Sequence, residues 1–300
     1  MNEIDAKNYR CGYVAIVGRP NVGKSTLLNQ ILHFKLSIVT PKPQTTRHRI
    51  AGIFSDETAQ IIFHDTPGLI TPRYKLQEYL VRAARSAMAD ADVLLMLIEA
   101  GDSVQKQDRD ILEQMVSHQR PIIVAINKSD IVEKNLILEQ INILKDLPGV
   151  RDIIPISALK NEGVDTLLTG LRALLPLSPP LYPPDQLATE PERFFVSEII
   201  REKIFMHYSD EIPYSTTVQI EEFHERPGRK DYIRATILVE RKSQKGILIG
   251  KKGAALKKVG AAARQDIEAF LDRPVFLDLF VVVRPKWRDK SGMLKNLGYK

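Results

Sequence analysis

Nine residues constrain this chain more than any others. Gly18 to Thr26, GRPNVGKST, follow the apolar run Tyr13 to Val17 and precede LLNQIL, which continues with helical spacing. A strand that stops at Gly18 and a helix that starts near Lys24 leave a loop whose backbone N–H groups point inward, beside the positive end of the helix dipole, and such a loop holds anions. The spacing Gly18, four residues, Gly23, Lys24, Ser25 is that of the phosphate-binding loop G-x-x-x-x-G-K-[ST]. In it glycines let the backbone approach the phosphates, the lysine reaches the β- and γ-phosphates and the hydroxyl ligates Mg²⁺. Gly18, Asn21, Val22, Gly23, Lys24, Ser25 and Thr26 are therefore candidate nucleotide contacts.

Such a loop demands a strand before it and a helix after it, and the sequence repeats that alternation. Tyr13 to Val17, Gln60 to His64, Val93 to Ile98, Ile122 to Ile126 and Ile153 to Ile156 read as buried strands. Lys24 to Leu32, Leu76 to Ala89, Gln107 to Ser117, Leu136 to Leu144 and Val164 to Leu174 carry helical spacing. A βαβ series predicts a mostly parallel sheet with helices on both faces. RHRIAGIF, Arg47 to Phe54, leaves no room for a helix before AQIIFHD, so it should be an edge strand pairing antiparallel with it, the sixth of the sheet.

The ends of the later strands decide which nucleotide fits. IIFHDTPG closes a strand on Asp65, Thr66, Pro67 and Gly68. There a carboxylate can hold Mg²⁺ through water and the Gly68 N–H can meet the γ-phosphate. IIVAINKSD brings Asn127, Lys128 and Asp130 to another strand end. A carboxylate at Asp130 accepts from guanine N1–H and the exocyclic amine, donors that adenine does not present together, and the Lys128 stem can stack on the ring. Leaving a buried acceptor unpaired is costly, so the site selects guanine. Ser157, Ala158 and Leu159, at the turn from IIPIS into a helix, can offer a backbone N–H to guanine O6. LSIVTPKPQTTRHR, between the two phosphate-side motifs, is the candidate switch: a threonine there would add a ligand to Mg²⁺ and sense the γ-phosphate. His64 lies in a strand-like run, where a histidine is packed more often than catalytic.

The second half of the chain has a different character. Residues 1–190 hold 21 Lys and Arg against 22 Asp and Glu, whereas residues 191–300 hold 22 against 15, a net of −1 followed by +7. Six prolines from Pro176 to Pro191 read as a semi-rigid linker. The expected division is 1–176, a linker over 177–191, and 192–300. A helix over PERFFVSEIIREKIFMHY, two alternating strands around HERPGRKD, a short apolar turn GILIG, the tetrad GKKG, a long helix Ala254 to Leu271 and a final strand VFLDLFVVV give the order α-β-β-α-α-β. That order, with a G-x-x-G between two helices, resembles a type II KH domain, whose loop clamps the backbone of a four-nucleotide single strand. Gly250 and Gly253 permit close approach of phosphates, Lys251 and Lys252 neutralise charge, and Ile247, Leu248 and Ile249 are candidate walls of a base groove. Arg241 to Lys258, including Lys257 and Lys258, holds seven cations and no carboxylate, which suits a polyanion better than solvent. Trp287 in the basic tail either stacks on a base or anchors the tail.

The N-terminal MNEIDAKNYRCGY lacks the apolar centre of a signal peptide, and no run approaches the roughly 18 apolar residues of a membrane span. An intracellular chain is the expectation. Cys11, the single cysteine, permits neither an intramolecular disulfide nor a cysteine-based zinc site and reads as a strand-edge residue, so a metal here is held by oxygen.

Taken in this order, each at a strand end, GRPNVGKST, DTPG, NKSD and SAL with the following GKKG domain resemble the Era family of ribosome-assembly GTPases, within the TrmE-Era-EngA-like group of the translation-factor-like branch. The resemblance covers nearly the whole chain. It implies a P-loop GTPase domain with a six-stranded sheet followed by a smaller α+β type II KH domain, and slow hydrolysis of GTP to GDP and phosphate. Lys24, Thr46 and Gly68 are then the catalytic candidates, and Ser25, Thr46 and Asp65 the Mg²⁺ ligands. The T-T-R pattern of relatives favours Thr46 over Thr45. Leu69 stands where Ras-type enzymes carry the water-orienting glutamine; some relatives use a K⁺ ion near the loop asparagine, here Asn21, which otherwise serves turn geometry alone. The implied partners are single-stranded rRNA, at the 3′ end of the small-subunit molecule, and the small ribosomal subunit during its maturation, for a monomeric, cytoplasmic chain. Peripheral contact with the inner membrane is a property of the family, but no amphipathic basic helix here compels it. An RNA-binding scaffold with negligible turnover is the alternative; an ATP-dependent kinase is disfavoured by Asp130.

Overall fold

The computed structural model describes residues 8–101 and 103–299. The segment MNEIDAK, part of the stretch read above as lacking a signal peptide, and the final lysine of the basic tail lie outside the described residues. The chain divides into two compact units: Met1–Ser37, Thr46–Pro72 and Gln77–Thr189 form the first, and Ile38–Thr45, Arg73–Leu76 and Glu190–Lys300 the second.

The first unit alternates β1 (Arg10–Val17), α1 (Lys24–Leu32), β2 (Ile50–Ser55), β3 (Ala59–Asp65), α2 (Lys75–Asp90), β4 (Val93–Glu99), α3 (Lys106–Val116), β5 (Ile122–Asn127), α4 (Lys134–Leu144), β6 (Val150–Pro155) and α5 (Val164–Leu174). The sheet order is β2-β3-β1-β4-β5-β6, with β2 the one antiparallel strand, at the edge. Strands covered on both faces must be apolar throughout, and VLLMLIE of β4 is buried along its length except at Glu99. The sequence places β6 too late. It starts at Val150 because, as the other edge strand, it exposes Arg151 and Asp152, and polar residues hide a strand from an apolar-run reading. The chain runs from β1 out to β2 and β3, then returns past β1 to β4. The direction of winding therefore reverses beside β1, and in such sheets ligands bind outside the carboxyl ends of the strands at that reversal.

The proline-rich segment does not span free space. Pro176 accepts from the Cys11 N–H (3.2 Å), Ser178 donates to Tyr9 (3.0 Å), and Leu187 accepts from the Ile53 N–H (2.8 Å). Gln60, fully buried, accepts the Leu181 and Tyr182 amides at 2.8 and 2.9 Å through its side chain. A proline cannot donate but still accepts, so this stretch caps the open N–H groups at the margin of the sheet. Cys11, expected at a strand edge, is buried at the second position of β1.

The second unit holds α6 (Glu192–His207), the single turn α7 (Ile212–Ser215), β7 (Thr217–His224), β8 (Asp231–Val239), α8 (Lys242–Ile249), α9 (Ala254–Leu271), β9 (Val275–Val283) and α10 (Ser291–Asn296). β8 is central, antiparallel to β7 and parallel to β9. Alternate residues Ile233, Ala235, Ile237 and Val239 of β8 face a core shared with Ile200 and Ile204 of α6 and Val259, Ala263 and Ile267 of α9. GILI, expected as part of a short apolar turn, is instead the last part of α8. Trp287 is fully buried, donates from Nε1 to the Ser215 carbonyl at 2.9 Å and stacks on Tyr299 at 6.4 Å. It anchors the tail, which settles the choice left open by the sequence against base stacking.

Candidate functional site

Four strand-end loops meet at the carboxyl edge of the first sheet. α1 begins directly at Lys24, and Gly23 before it has φ +103°, while a Cβ there would lie 2.2 Å from Asn127 Nδ2. Only glycine fits that backbone and that contact. Lys24, 6% exposed, turns its ammonium to the Gly18 and Arg19 carbonyls at 3.1 and 2.8 Å. Burial pushes its pKa down to about 8, with Asp65 opposing that shift. The DTPG loop lies against the phosphate loop: a Cβ at Gly68 would sit 2.8 Å from the Pro20 nitrogen. Thr66, fully buried, donates to the Ile16 carbonyl at 2.7 Å, tying the end of β3 to β1, and Pro67 is buried beside it.

Ser25 Oγ donates to Asp65 Oδ2 at 2.7 Å and lies 3.0 Å from Thr46 Oγ1. Asp65 is fully buried, and its second oxygen, Oδ1, has no hydrogen-bond partner. Burial raises its pKa; the Ser25 hydroxyl, Lys24 and the Ser37 and Thr46 hydroxyls oppose that. Three converging oxygens, Ser25 Oγ, Thr46 Oγ1 and Asp65 Oδ2, on a carboxylate whose other oxygen is left without a partner, fit a hard divalent cation such as Mg²⁺. Of the two neighbouring threonines it is Thr46 that stands here; Thr45 bonds Thr40 Oγ1 at 2.7 Å instead.

On the base side, Asn127 (3% exposed) donates to the Val22 carbonyl at 2.7 Å and accepts the Ala158 N–H at 2.9 Å, joining the phosphate loop to the SAL turn. Lys128 pairs with Glu99 at 2.7 Å, which directs its stem. Asp130 lies 3.6 Å from Lys160 and is held below the usual carboxylate range, first by the Ser157 hydroxyl and then by Lys160. Ser157 and Ala158 are buried while Leu159 is 79% exposed. Asn21 is exposed with φ +65°, a left-handed conformation that asparagine tolerates. Leu69 packs against the core around Met88 and Ile98. His64 is packed: 3% exposed, stacked on Tyr13 at 5.2 Å, its pKa pushed down to about 4 by burial and by Arg49.

In the second unit the tetrad joins α8 to α9, with φ +70° at Gly250, +51° at Lys252 and +80° at Gly253. Lys251 and Lys252 are exposed, as are Lys257 and Lys258 on α9. Tyr208 Oη donates to the Leu248 carbonyl at 2.7 Å and pins the end of α8. Leu248 itself is fully buried in the core and cannot wall a groove, contrary to the sequence reading; at i+1 its neighbours point elsewhere, so Ile247 is 55% exposed and Ile249 half-buried.

Glu99, Lys160, Ser37 and Asn29 also belong to the nucleotide-side geometry and escaped the sequence reading. Isolated polar residues outside any motif carry no local signal, although Asn29 stands one turn after Ser25 on the same face of α1.

Two family models match: a 50S ribosome-binding GTPase over residues 13–128 and a KH domain over residues 211–288. GTPase Era of Geobacter metallireducens is 50% identical over 292 residues, 97% of this chain and 98% of that one. The chloroplastic GTPase ERA1 of Zea mays is 45% identical over 97% of this chain and 71% of its own length. Among solved structures, a point variant of Aquifex aeolicus Era bound to GDP·AlF4⁻ superposes with a TM-score of 0.93 at 41% identity, covering 97% of this chain and 99% of that one. An Era complex with MgGDPNP and nucleotides 1506–1542 of 16S ribosomal RNA matches at the same TM-score, identity and coverage.

Proposed function

Because this chain belongs to the Era family of GTPases, we propose that its four strand-end loops bind GTP and hydrolyse it to GDP and phosphate while its KH domain grips single-stranded rRNA at the 3′ end of the small-subunit molecule. The observation that carries the reading is the meeting of Ser25, Thr46 and Asp65 oxygens beside the Lys24 ammonium, at a loop that Asn127 ties to the SAL turn. The solved Era complex with 16S rRNA nucleotides supports the RNA side. The resulting role is a nucleotide-switched factor in small-subunit assembly.

Lys24 leaves the loop carbonyls for the β- and γ-phosphates, and its ammonium, held near pKa 8 by burial, is stabilised by their charge. The loop amides from Asn21 to Thr26 face the same phosphates. Mg²⁺, when bound by Ser25, Thr46 and Asp65, supplies positive charge against the phosphate oxygens. Gly68 N–H meets the γ-phosphate, with Thr66 and Pro67 holding that loop. Asp130 accepts from the guanine N1–H and amine, Lys128 covers the ring, and the turn at Ser157, Ala158 and Leu159 offers an amide to O6. Leu69 is engaged with the core and aligns no water, so the alignment and the charge that speed hydrolysis come from elsewhere: a K⁺ ion at Asn21 fits that need. In the KH domain Gly250 to Gly253 receive the RNA backbone at the N-terminus of α9, Lys251, Lys252, Lys257 and Lys258 neutralise phosphates, and Ile247 and Ile249 meet the bases. The domains divide as 1–176 and 192–300, with 177–191 as the connection, in a monomer of the cytoplasm whose contact with the inner membrane, where it occurs, is peripheral; among the described residues no helix is long and apolar enough to cross a membrane.

Phosphate release under multiple turnover, with and without the 3′ segment of small-subunit rRNA, tests the reading. Turnover in GTP that RNA accelerates is expected. RNA binding with no turnover beyond one equivalent would replace the enzyme by a nucleotide-responsive scaffold.

A further inference from the structure

Gln140 is a buried amide that the nucleotide chemistry above leaves unused. It lies on α4, 1% exposed, and both ends of its side chain are engaged: Nε2 donates to the Glu99 carbonyl and Oε1 accepts the Gly101 N–H, each at 3.2 Å. Glu99 is the last residue of β4 and pairs in register with Asn127 of β5, while the Ala100 N–H donates to the Asn127 carbonyl at 2.8 Å. The chain leaving β4 is therefore tied both to the strand that ends in NKSD and, through Gln140, to α4.

What that tie holds in place is one carboxylate. Glu99 Oε1 lies 2.7 Å from Lys128 Nζ, and the two side chains are 40% and 34% exposed. An ion pair so open to water is worth little when both partners move freely, because ordering two long side chains offsets their attraction. Fixing the backbone of one partner removes part of that cost. The other partner is fixed as well: Lys128 has φ +65°, a left-handed conformation that is strained for a lysine and persists only where the surroundings impose it. Both ends of the pair start from constrained backbone, and the Lys128 stem between them has one direction to run.

We propose that Gln140 is a positioning residue for the guanine base: it fixes Glu99, Glu99 holds the Lys128 ammonium, and the Lys128 stem stays over the ring instead of sampling solvent. Holding a contact in its bound geometry before the ligand arrives gains affinity by removing an ordering cost. No step of hydrolysis runs through Gln140, so its effect is on nucleotide affinity and lifetime. The proposal rests on the assignment of the NKSD loop to guanine.

The test measures the affinity and release rate of a fluorescent GDP analogue on the full chain for the parent, Glu99→Gln, Gln140→Leu and Lys128→Met. Each of the first two changes is also combined with Lys128→Met, which keeps an apolar stem but has no charge to hold. Glu99→Gln and Gln140→Leu should each weaken GDP about two- to fivefold, mostly through faster release. On the Lys128→Met background the same changes should have no further effect, since both act through one ammonium. A merely structural glutamine would lower affinity by the same factor on both backgrounds. Gln140→Glu, which keeps an acceptor for the Gly101 N–H, takes the place of Gln140→Leu if that variant does not fold. Equal losses with and without the Lys128 ammonium, or GDP affinity unchanged by either substitution, would overturn the proposal. If Lys128→Met itself bound GDP as the parent does, the assignment of Lys128 to the base would fall as well.

Discussion

Replacing Asn127 by alanine should unfasten the nucleotide site from within. Its amide spans two loops, donating to the Val22 carbonyl at 2.7 Å and accepting the Ala158 N–H at 2.9 Å. Both partner residues are at most 1% exposed, so water does not replace the lost amide. Each orphaned buried group costs about 1–3 kcal/mol, which gives about 4 kcal/mol for the pair. In a unit of this size 1 kcal/mol moves the midpoint by about 2–4 °C, so the metal-free, nucleotide-free protein should melt about 8–16 °C lower. Thermal unfolding followed by circular dichroism reads the shift, and displacement of a fluorescent GDP analogue reads the accompanying loss of affinity. Asn127→Asp separates the two bonds. It keeps an acceptor for Ala158 but turns a carboxylate oxygen toward the Val22 carbonyl, and should be at least as damaging as alanine. A midpoint within 2 °C of the parent and unchanged GDP affinity in both variants would show that the two loops hold their positions without Asn127, and the reasoning would fail.

Lys251→Asp with Lys252→Asp should abolish binding of single-stranded rRNA in a filter assay while sparing GDP binding; the milder alanine pair should flatten the dependence of log affinity on log salt by roughly 1 to 1.5, and an unchanged slope would move the RNA site off the tetrad. GTP hydrolysis should rise when K⁺ replaces Na⁺ at equal ionic strength, and Asn21→Ala should remove the difference; equal rates in the two salts for the parent would refute the ion. Asp130→Asn should lose GDP and gain xanthosine diphosphate in competition binding, because an amide can donate to the xanthine O2. His64 titrates near 4 in the fold, against 6.5 when unperturbed. The unfolded chain therefore takes up its proton first as pH falls, and stability is lost between pH 6.5 and 4, by about 3 kcal/mol at the acid end. Urea midpoints over that range should flatten in His64→Gln.

Much of this protein is local chemistry, and local chemistry is readable in order along the chain. A glycine-rich loop between strand and helix commits its own backbone, so α1 spans Lys24–Leu32 as its spacing demands. A buried parallel strand must be apolar throughout, so β4 declares itself. Asp65, Asn127 and Asp130 follow because each sits where a buried run ends and a polar group can reach a ligand. Periodicity says that a residue seeks an apolar surface without saying which one. That choice belonged to the tertiary structure: Leu248 went to the core and left Ile247 exposed, Trp287 found the Ser215 carbonyl, and the proline-rich stretch lay down along the sheet margin. The hold of Asn29 on the turn after α1, at Leu36 and Ser37, is of the same kind. Three hydrogen bonds to one side chain depend on where a helix and the turn after it come to rest, and no spacing rule records that before the chain has folded.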